Sequence, residues 1–413
     1  MVYYHIRIGC LINFLKHMKH LYIGSFITPS LYDWVYLDSK TKITASTTSF
    51  QLAFLSGFDG QLSPDVINCP DMGSWPKRSS KVLIPNIEET VFGLKCHSLP
   101  FLNITRLKRI DIYKKLSSAG AKWCDLYNEE TKIITVYGLI YPYIKAAVNI
   151  KRNNKNVKIC CIVADLPEYF DDKTSYLRRL LDETNKTYEL CKEVDFFVLL
   201  TEQMKEPLSI TKQPYLIMEG IYQQREIIKT EKEKKCILYT GKLDARFGLP
   251  SLMNAFVKID DPECKLWICG DGADKETVLR IAEKDPRIIY WGMLKQDEVF
   301  KMQARATILI NPRKPEGEYT KYSFPSKTME YMASGTPTLM YKLPGMPEEY
   351  INYVGIIPNG TDEDLKSFIE EYLNKDEVTL HKFGLEARNF ILEHKTSKQQ
   401  IKRYVDFLSE HLT

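Results

Sequence analysis

The sequence has no Cys-x-x-Cys pair, although it holds 10 cysteines in 413 residues. That removes the usual zinc frameworks. Cys160 and Cys161 are adjacent in the apolar run ICCIVAD, and Cys236 and Cys269 lie in other strand-like runs. Buried free thiols in a reducing compartment fit this usage better than disulfides. No stretch of about 18 apolar residues occurs, so no membrane-spanning helix is expected. Net charge is only +4, from 57 basic and 53 acidic residues, and gives no case for nucleic acid. There is no internal repeat, and no low-complexity tract beyond one charge run. The first residues, MVYYHIRIGCLINFLKHMKH, lack the basic start of a signal peptide, and Arg7 and His5 interrupt their apolar run. They read as an extension, residues 1–18, with Met18 as an alternative start and an interfacial role left open.

What is present is ordinary for a globular protein: 44% apolar and 27% charged residues. Two domains are expected at this length, and the thiol usage makes a cytoplasmic protein the expectation. In the second half, short apolar runs alternate with amphipathic ones. Strands are expected at 236–240, 265–270, 287–292, 306–311 and 337–341, with helices at 249–259, 274–283, 296–305, 326–334 and 362–374. Such alternation means crossover units and a mostly parallel sheet covered on both faces. The first half repeats the theme, with strands at 20–26, 80–87, 132–138, 157–165 and 195–201 and helices at 142–153 and 174–192. The charged stretch REIIKTEKEKK marks a linker. The expected organisation is an extension 1–18, a Rossmann-like domain 19–218, a linker 219–235, a second Rossmann-like domain 236–395, and a C-terminal helix, 396–413, that returns to the first domain. The fold class is therefore α/β, with two doubly wound parallel-sheet domains facing a cleft.

Ligands of open parallel sheets bind beyond the carboxyl ends of the strands. In the second domain those ends carry Gly241-Lys242 with Arg246 nearby, Gly270, Gly292-Met293 and Asn311-Pro312-Arg313. Each glycine alone can be a simple turn; together they suggest close approach of backbone to a ligand. The sharpest segment is EGEYTKYSFPSKTMEYMASGTP (316–337). Ser326 is suited to N-cap a helix in which Met329 and Met332 face inward. The free N–H groups of Ser326, Lys327 and Thr328 would then make an anion site. Lys327 is a cation at a helix start, where cations are disfavoured, and a bound anion explains it. Glu330, about one turn on, can accept hydrogen bonds from ribose hydroxyls; otherwise it is a solvated helix carboxylate.

The stretches YTGKLDARFG, LWICGDG, RIIYWGML and SFPSKTMEYMASGTP resemble the retaining GT-B glycosyltransferases, family 4 in particular. The likeness is strong over 236–345 and weak in the first half. In the family the last stretch usually holds two glutamates separated by seven residues. The second corresponds to Glu330; the first falls at Tyr322, with Glu316 and Glu318 as nearby substitutes. The family also tends to hold the diphosphate with an arginine after the first-strand glycine and a lysine five residues later. Here these places carry Lys242 and Phe247, and Arg246 is the adjacent substitute. The departures resemble bacterial capsular and exopolysaccharide transferases, as does ICCIVADLPEYF (159–170). Asp165 there is a candidate to orient or deprotonate an acceptor hydroxyl, or else a turn aspartate. Gly24, after the first strand, would lie near the donor phosphates.

The resemblance implies transfer of a sugar from a nucleotide-diphosphate sugar to a glycan or lipid-linked glycan in cell-surface polysaccharide biosynthesis. It implies retention at the anomeric carbon, with no cofactor beyond the donor substrate. Basic side chains and a helix N-terminus would neutralise the leaving group. No Asp-x-Asp triplet stands at a suitable strand end, so metal-independent transfer is expected. Two rival readings stand beside this one. A nicotinamide-dependent enzyme wants Gly-x-Gly-x-x-Gly after the first strand, and TGKLDARFG does not match. A catalytically inactive partner subunit, which binds nucleotide or glycan without turnover, is suggested by the missing first glutamate. Residues 1–218 carry the excess of positive charge. In FLNITRLKRIDIYKKL (101–116), helical spacing puts Leu102, Leu107, Ile110 and Tyr113 to one side, flanked by basic residues including Lys108 and Arg109. Either this side docks on anionic membrane at the inner face, or it faces the core.

Overall fold

The computed structural model describes residues 18–36, 38, 45–60, 62–169 and 182–412. Most of the N-terminal extension and the first part of the helix expected at 174–192 lie outside these residues. The chain forms two units. One runs to Ile221 and takes back the chain from Ser397; the other is Tyr222–Thr396. No helix among the described residues is long and apolar enough to cross a membrane. The nine described cysteines are free and buried.

The first unit contains β1 (Lys19–Gly24), α1 (Pro29–Tyr36), α2 (Ala45–Leu55), β2 (Asp65–Asn68), β3 (Leu83–Ile84), β4 (Ile87–Val91), β5 (Leu94–Ser98), β6 (Phe101–Leu102) and α3 (Lys108–Leu126). It continues with β7 (Lys132–Tyr137), α4 (Tyr141–Arg152), β8 (Val157–Val163), α5 (Glu183–Cys191), β9 (Phe196–Leu199) and β10 (Tyr215–Ile217). Its main sheet has the order β10-β9-β8-β7-β1-β2-β5-β4. β7 is buried throughout and β8 nearly so, as expected of central parallel strands covered on both faces. The sheet departs from the all-parallel expectation at one edge, where β4 pairs antiparallel with β5. The hairpin turns at Phe92-Gly93, both at positive φ. The strand expected at 20–26 ends at Gly24, because the Asn68 side-chain amide holds both the N–H and the carbonyl of Phe26 and draws the chain off the sheet. The strand expected at 80–87 shrinks to β3, which pairs only with β6.

The second unit contains β11 (Cys236–Thr240), α6 (Leu249–Phe256), β12 (Lys265–Cys269), α7 (Lys275–Ala282), β13 (Ile288–Gly292), α8 (Gln296–Arg305) and β14 (Ile308–Asn311). Then come α9 (Ser326–Ala333), β15 (Thr338–Tyr341), β16 (Gly355–Ile357), α10 (Asp362–Leu373) and α11 (Glu377–His394). The six strands are all parallel, in the order β13-β12-β11-β14-β15-β16. Counted from β11 this is 3-2-1-4-5-6, the doubly wound dinucleotide-fold order. Alternate residues of β11 serve opposite cores: Ile237 and Tyr239 pack with Leu252 and Phe256, while Cys236 and Leu238 pack with Met302 and Tyr331.

The last helix, α12 (Ser397–Leu412), belongs to the first unit. Ile401, Tyr404, Val405, Phe407 and Leu408 enter the same core as Tyr22, Phe54 and Phe58. The Tyr404 hydroxyl meets Thr135 Oγ1 at 2.5 Å, and that oxygen lies 2.8 Å from His20 Nε2. His20 Nδ1 donates to the Leu62 carbonyl at 2.8 Å. The chain Tyr404–Thr135–His20 thus ties α12 to β7 and β1. Burial lowers the imidazole from 6.5 to about 4, so the native ring is neutral at pH 7.

Candidate functional site

In the second unit the chain leaves β11 towards β12 on one side and later returns to β14 on the other. The switch point, where ligands of such sheets bind, therefore lies beyond Thr240 and Asn311. Three segments meet around the end of β11. The first is Gly241-Lys242. Lys242 is exposed, its carbonyl accepts from the Tyr239 hydroxyl at 2.8 Å, and its ammonium makes no ion pair among the described residues. The second is the end of β12. Gly270 has φ +141°, and a Cβ there would fall 1.8 Å from the Gly241 carbonyl oxygen. Loop-to-loop packing by itself therefore accounts for a glycine at this strand end. Gly24 is accounted for by packing in the same way, since a Cβ would strike the Phe26 ring at 2.7 Å. Gly292 differs: φ is +69° and nothing lies within 4 Å of a Cβ, with exposed Met293 beside it. That strand end is open.

The third segment is the start of α9. Tyr331, fully buried, accepts from the Thr240 N–H at 2.7 Å and donates to the Thr240 carbonyl at 3.0 Å. This pins the helix to the end of β11, and sequence reasoning had given Tyr331 no part. Met329 and Met332 face the core as expected. Ser326 is not the N-cap: Pro325 holds that place, no side chain caps the helix, and Ser326 is its exposed first residue. The N–H groups of Ser326 and Lys327 meet no acceptor among the described residues. Thr328 is fully buried. Its hydroxyl contacts Met340 Sδ at 3.7 Å in the core, and its N–H donates to the Pro325 carbonyl at 2.9 Å. Lys327 Nζ lies 3.0 Å from Glu330 Oε2, so the helix-start cation has an internal partner while its side chain stays partly exposed.

Arg246 Nε and Nη2 grip Asp244 at 3.0 and 2.8 Å, and the guanidinium holds that carboxyl down at about 2. Glu318 begins a short 3-10 turn, exposed, 3.5 Å from Lys321 Nζ. Arg313, just beyond β14, is buried. In the first unit Asp165 follows β8. It keeps solvent-accessible surface, yet surrounding protein atoms desolvate the carboxyl and raise it from 3.8 to about 6. A carboxyl so placed can exchange a proton near neutrality.

Residues 221–390 match the family model of glycosyl transferases, group 1. No curated protein matches the chain. Among solved structures, TarM is similar with TM-score 0.53 and 15% identity over 81% of this chain, which spans 65% of the TarM chain. Alr3699/HepE of Anabaena in complex with UDP gives TM-score 0.61 and 12% identity, covering 94% of this chain and all of that one. The lipopolysaccharide outer core galactosyltransferase WaaB, in its apo form, gives TM-score 0.61 and 14% identity over 96% and 99%. With the sheet orders above, these likenesses establish the GT-B class of fold, two Rossmann-like α/β domains. Residues 221–390 are the part of the chain that resembles the group 1 glycosyl transferases.

Proposed function

We propose that the chain transfers a sugar from a nucleotide-diphosphate sugar to a glycan or lipid-linked glycan acceptor in cell-surface polysaccharide biosynthesis. The observation that carries this reading is the start of α9, with two unpaired N–H groups, Lys327 and Glu330, fastened by Tyr331 beside Gly241-Lys242 at the switch point. The exposed ammonium of Lys242, that of Lys327 and the helix-start amides would neutralise the diphosphate as it leaves, so transfer would proceed without a metal. Glu330 would accept from the ribose hydroxyls. Gly292 and Met293 would border the base. Asp165 would orient the acceptor hydroxyl or take its proton, and Glu318 would stand in for the family's first glutamate. Retention, with the leaving phosphate assisting on the attacked face, follows the family resemblance. HepE is described with UDP, and with UDP and glucose; UDP-sugars are therefore the first donors to assay.

The acceptor reading includes a surface. Leu83 (59% exposed) and Leu102 stand opposite each other in the β3/β6 ribbon, and Leu107 and Ile110 (55% exposed) follow at the start of α3. The core-facing alternative is thereby overturned for Leu102, Leu107 and Ile110. The basic residues are corrected too. Lys108 is buried, donating to the Met72 carbonyl, and Arg109 pairs with Glu183. The exposed cations of residues 101–116 are Arg106, Lys114 and Lys115. Exposed apolar residues with cations four residues to either side of Ile110 suit an anionic lipid surface carrying a lipid-linked acceptor.

The test is turnover of UDP-sugars by the purified full chain in excess EDTA, with the anomeric configuration of the product read by NMR. Turnover restored only by added manganese or magnesium overturns the leaving-group chemistry. Binding of nucleotide without hydrolysis or transfer would instead favour the inactive-partner reading, for which Tyr322 at the place of the family's first glutamate is the supporting observation.

A further inference from the structure

Arg313 is 7% exposed, and its Nε is buried without an acceptor. Nη2 donates to Ser323 Oγ at 2.9 Å. The guanidinium lies 4.7 Å from the Tyr319 ring centroid and 5.9 Å from that of Phe247. No Asp or Glu among the described residues pairs with it, and burial pushes its pKa down. A buried cation without a counter-ion costs far more than two aromatic faces return. Such a group at a strand end points to an anion that comes from outside the chain.

Its neighbours locate that anion. Gly248 has φ +79°, and a Cβ there would fall 1.9 Å from the Pro312 carbonyl oxygen. This contact lays the 244–248 turn against the segment that carries Arg313. Phe247 stands where the family pattern places its second diphosphate cation. The adjacent Arg246 is already neutralised by its two hydrogen bonds to Asp244. We propose that Arg313, delivered from the end of β14, binds the diphosphate of the nucleotide sugar in place of the lysine replaced by Phe247. This rests on the donor reading given above and adds to it a named binding residue.

The experiment is calorimetric titration of the full chain and its Arg313→Met and Arg313→Lys variants with UDP, ADP, GDP and the three nucleosides. Arg313→Met should weaken the best nucleoside diphosphate by about tenfold or more, while its nucleoside changes by less than about twofold. Arg313→Lys should recover part of the loss. The melting temperature of Arg313→Met should equal or exceed that of the unaltered chain, because an unpaired buried charge is removed. Should Arg313→Met resist purification, Arg313→Gln is read by the same criteria. Unchanged diphosphate affinity in a folded variant overturns the assignment and leaves the donor reading intact. Equal weakening of nucleoside and diphosphate, with a lower melting temperature, overturns it in favour of a packing role. If the unaltered chain binds none of the three diphosphates, the donor reading falls and the assignment falls with it.

Discussion

Replacing Glu330 separates binding from folding by magnitude. The carboxylate sits in the second turn of α9, 23% exposed, 3.0 Å from Lys327 Nζ. An i,i+3 ion pair on a helix surface is worth about 0.2–0.5 kcal/mol. Alanine is at least as good a helix former as glutamate. Glu330→Ala should therefore change unfolding free energy by less than about 0.5 kcal/mol. Its effect on nucleotide is larger. A ribose hydroxyl donating to an ionised carboxylate contributes roughly 1.5–3 kcal/mol. Loss of that acceptor weakens UDP by about 10- to 150-fold at 1.4 kcal/mol per tenfold. The phosphate end should respond in the opposite sense. Freed from Glu330, Lys327 presents its whole charge to the anion, so pyrophosphate binding should hold or strengthen. Calorimetry with UDP, uridine and pyrophosphate at low salt reads all three. Unchanged UDP affinity in a folded Glu330→Ala protein refutes the ribose role. Equal weakening of UDP and pyrophosphate would instead mean that the helix start has been disturbed.

Three further outcomes are expected. His20 titrates near 4 in the native state and near 6.5 when unfolded, so the unfolded chain binds the extra proton between these values. Stability should fall as pH drops from 6.5 to 4, by roughly 3 kcal/mol in urea titrations, and His20→Gln should flatten that slope; an unaltered slope refutes the neutral buried imidazole. Asp165, raised to about 6, works with the opposite sign: its contribution to stability is present below 3.8 and is lost as pH rises through 6. If it accepts the acceptor's proton, kcat/KM should rise with pH through about 6 and this limb should vanish in Asp165→Asn; a limb that persists removes Asp165 from the chemistry. For the surface around α3, sedimentation with phosphatidylserine vesicles at low salt should pull down the chain, and Leu83→Ser with Ile110→Ser, or Arg106→Glu with Lys114→Glu, should abolish it. Equal, poor binding to neutral and anionic vesicles sinks the docking reading.

The second unit was the more legible because each of its strands is a short apolar run buried on both faces and followed by an amphipathic helix. β11 was bounded to the residue, and the other strands of its sheet named in advance came within two residues at either end. β16 (GII) was too short to be named. The first unit hid its edge. β4 reads IEETV and β5 LKCHS, where polar and charged residues interrupt the apolar ones and burial alternates along each strand. Their turn is Phe92-Gly93, not the Asn-Gly or Asp-Gly that signals a hairpin. α2, ASTTSFQLAFL, is rich in Ser and Thr, poor helix formers, and is held as a helix by packing Phe54 and Leu55 into the core.

The site divides along the same physical line. Lys327 and Glu330 could be picked out because their significance is local: a cation at a helix start and a carboxylate one turn on. Tyr331 could not, because its hydroxyl acts on Thr240, far away in the chain. Arg313 is the sharper case. Read in one dimension it stands in NPRKPEGE, three and five residues from Glu316 and Glu318, and an ion pair with either would be the natural reading. Folding separates them. Both glutamates are exposed, and Glu318 approaches Lys321, while Arg313 turns inward against Tyr319 and Phe247. A missing counter-ion is a property of three-dimensional surroundings and has no counterpart in sequence spacing. The same fact makes Arg313 informative: a chain that supplies two carboxylates within five residues and seats neither on this guanidinium keeps a buried positive charge available for an anion it does not itself carry.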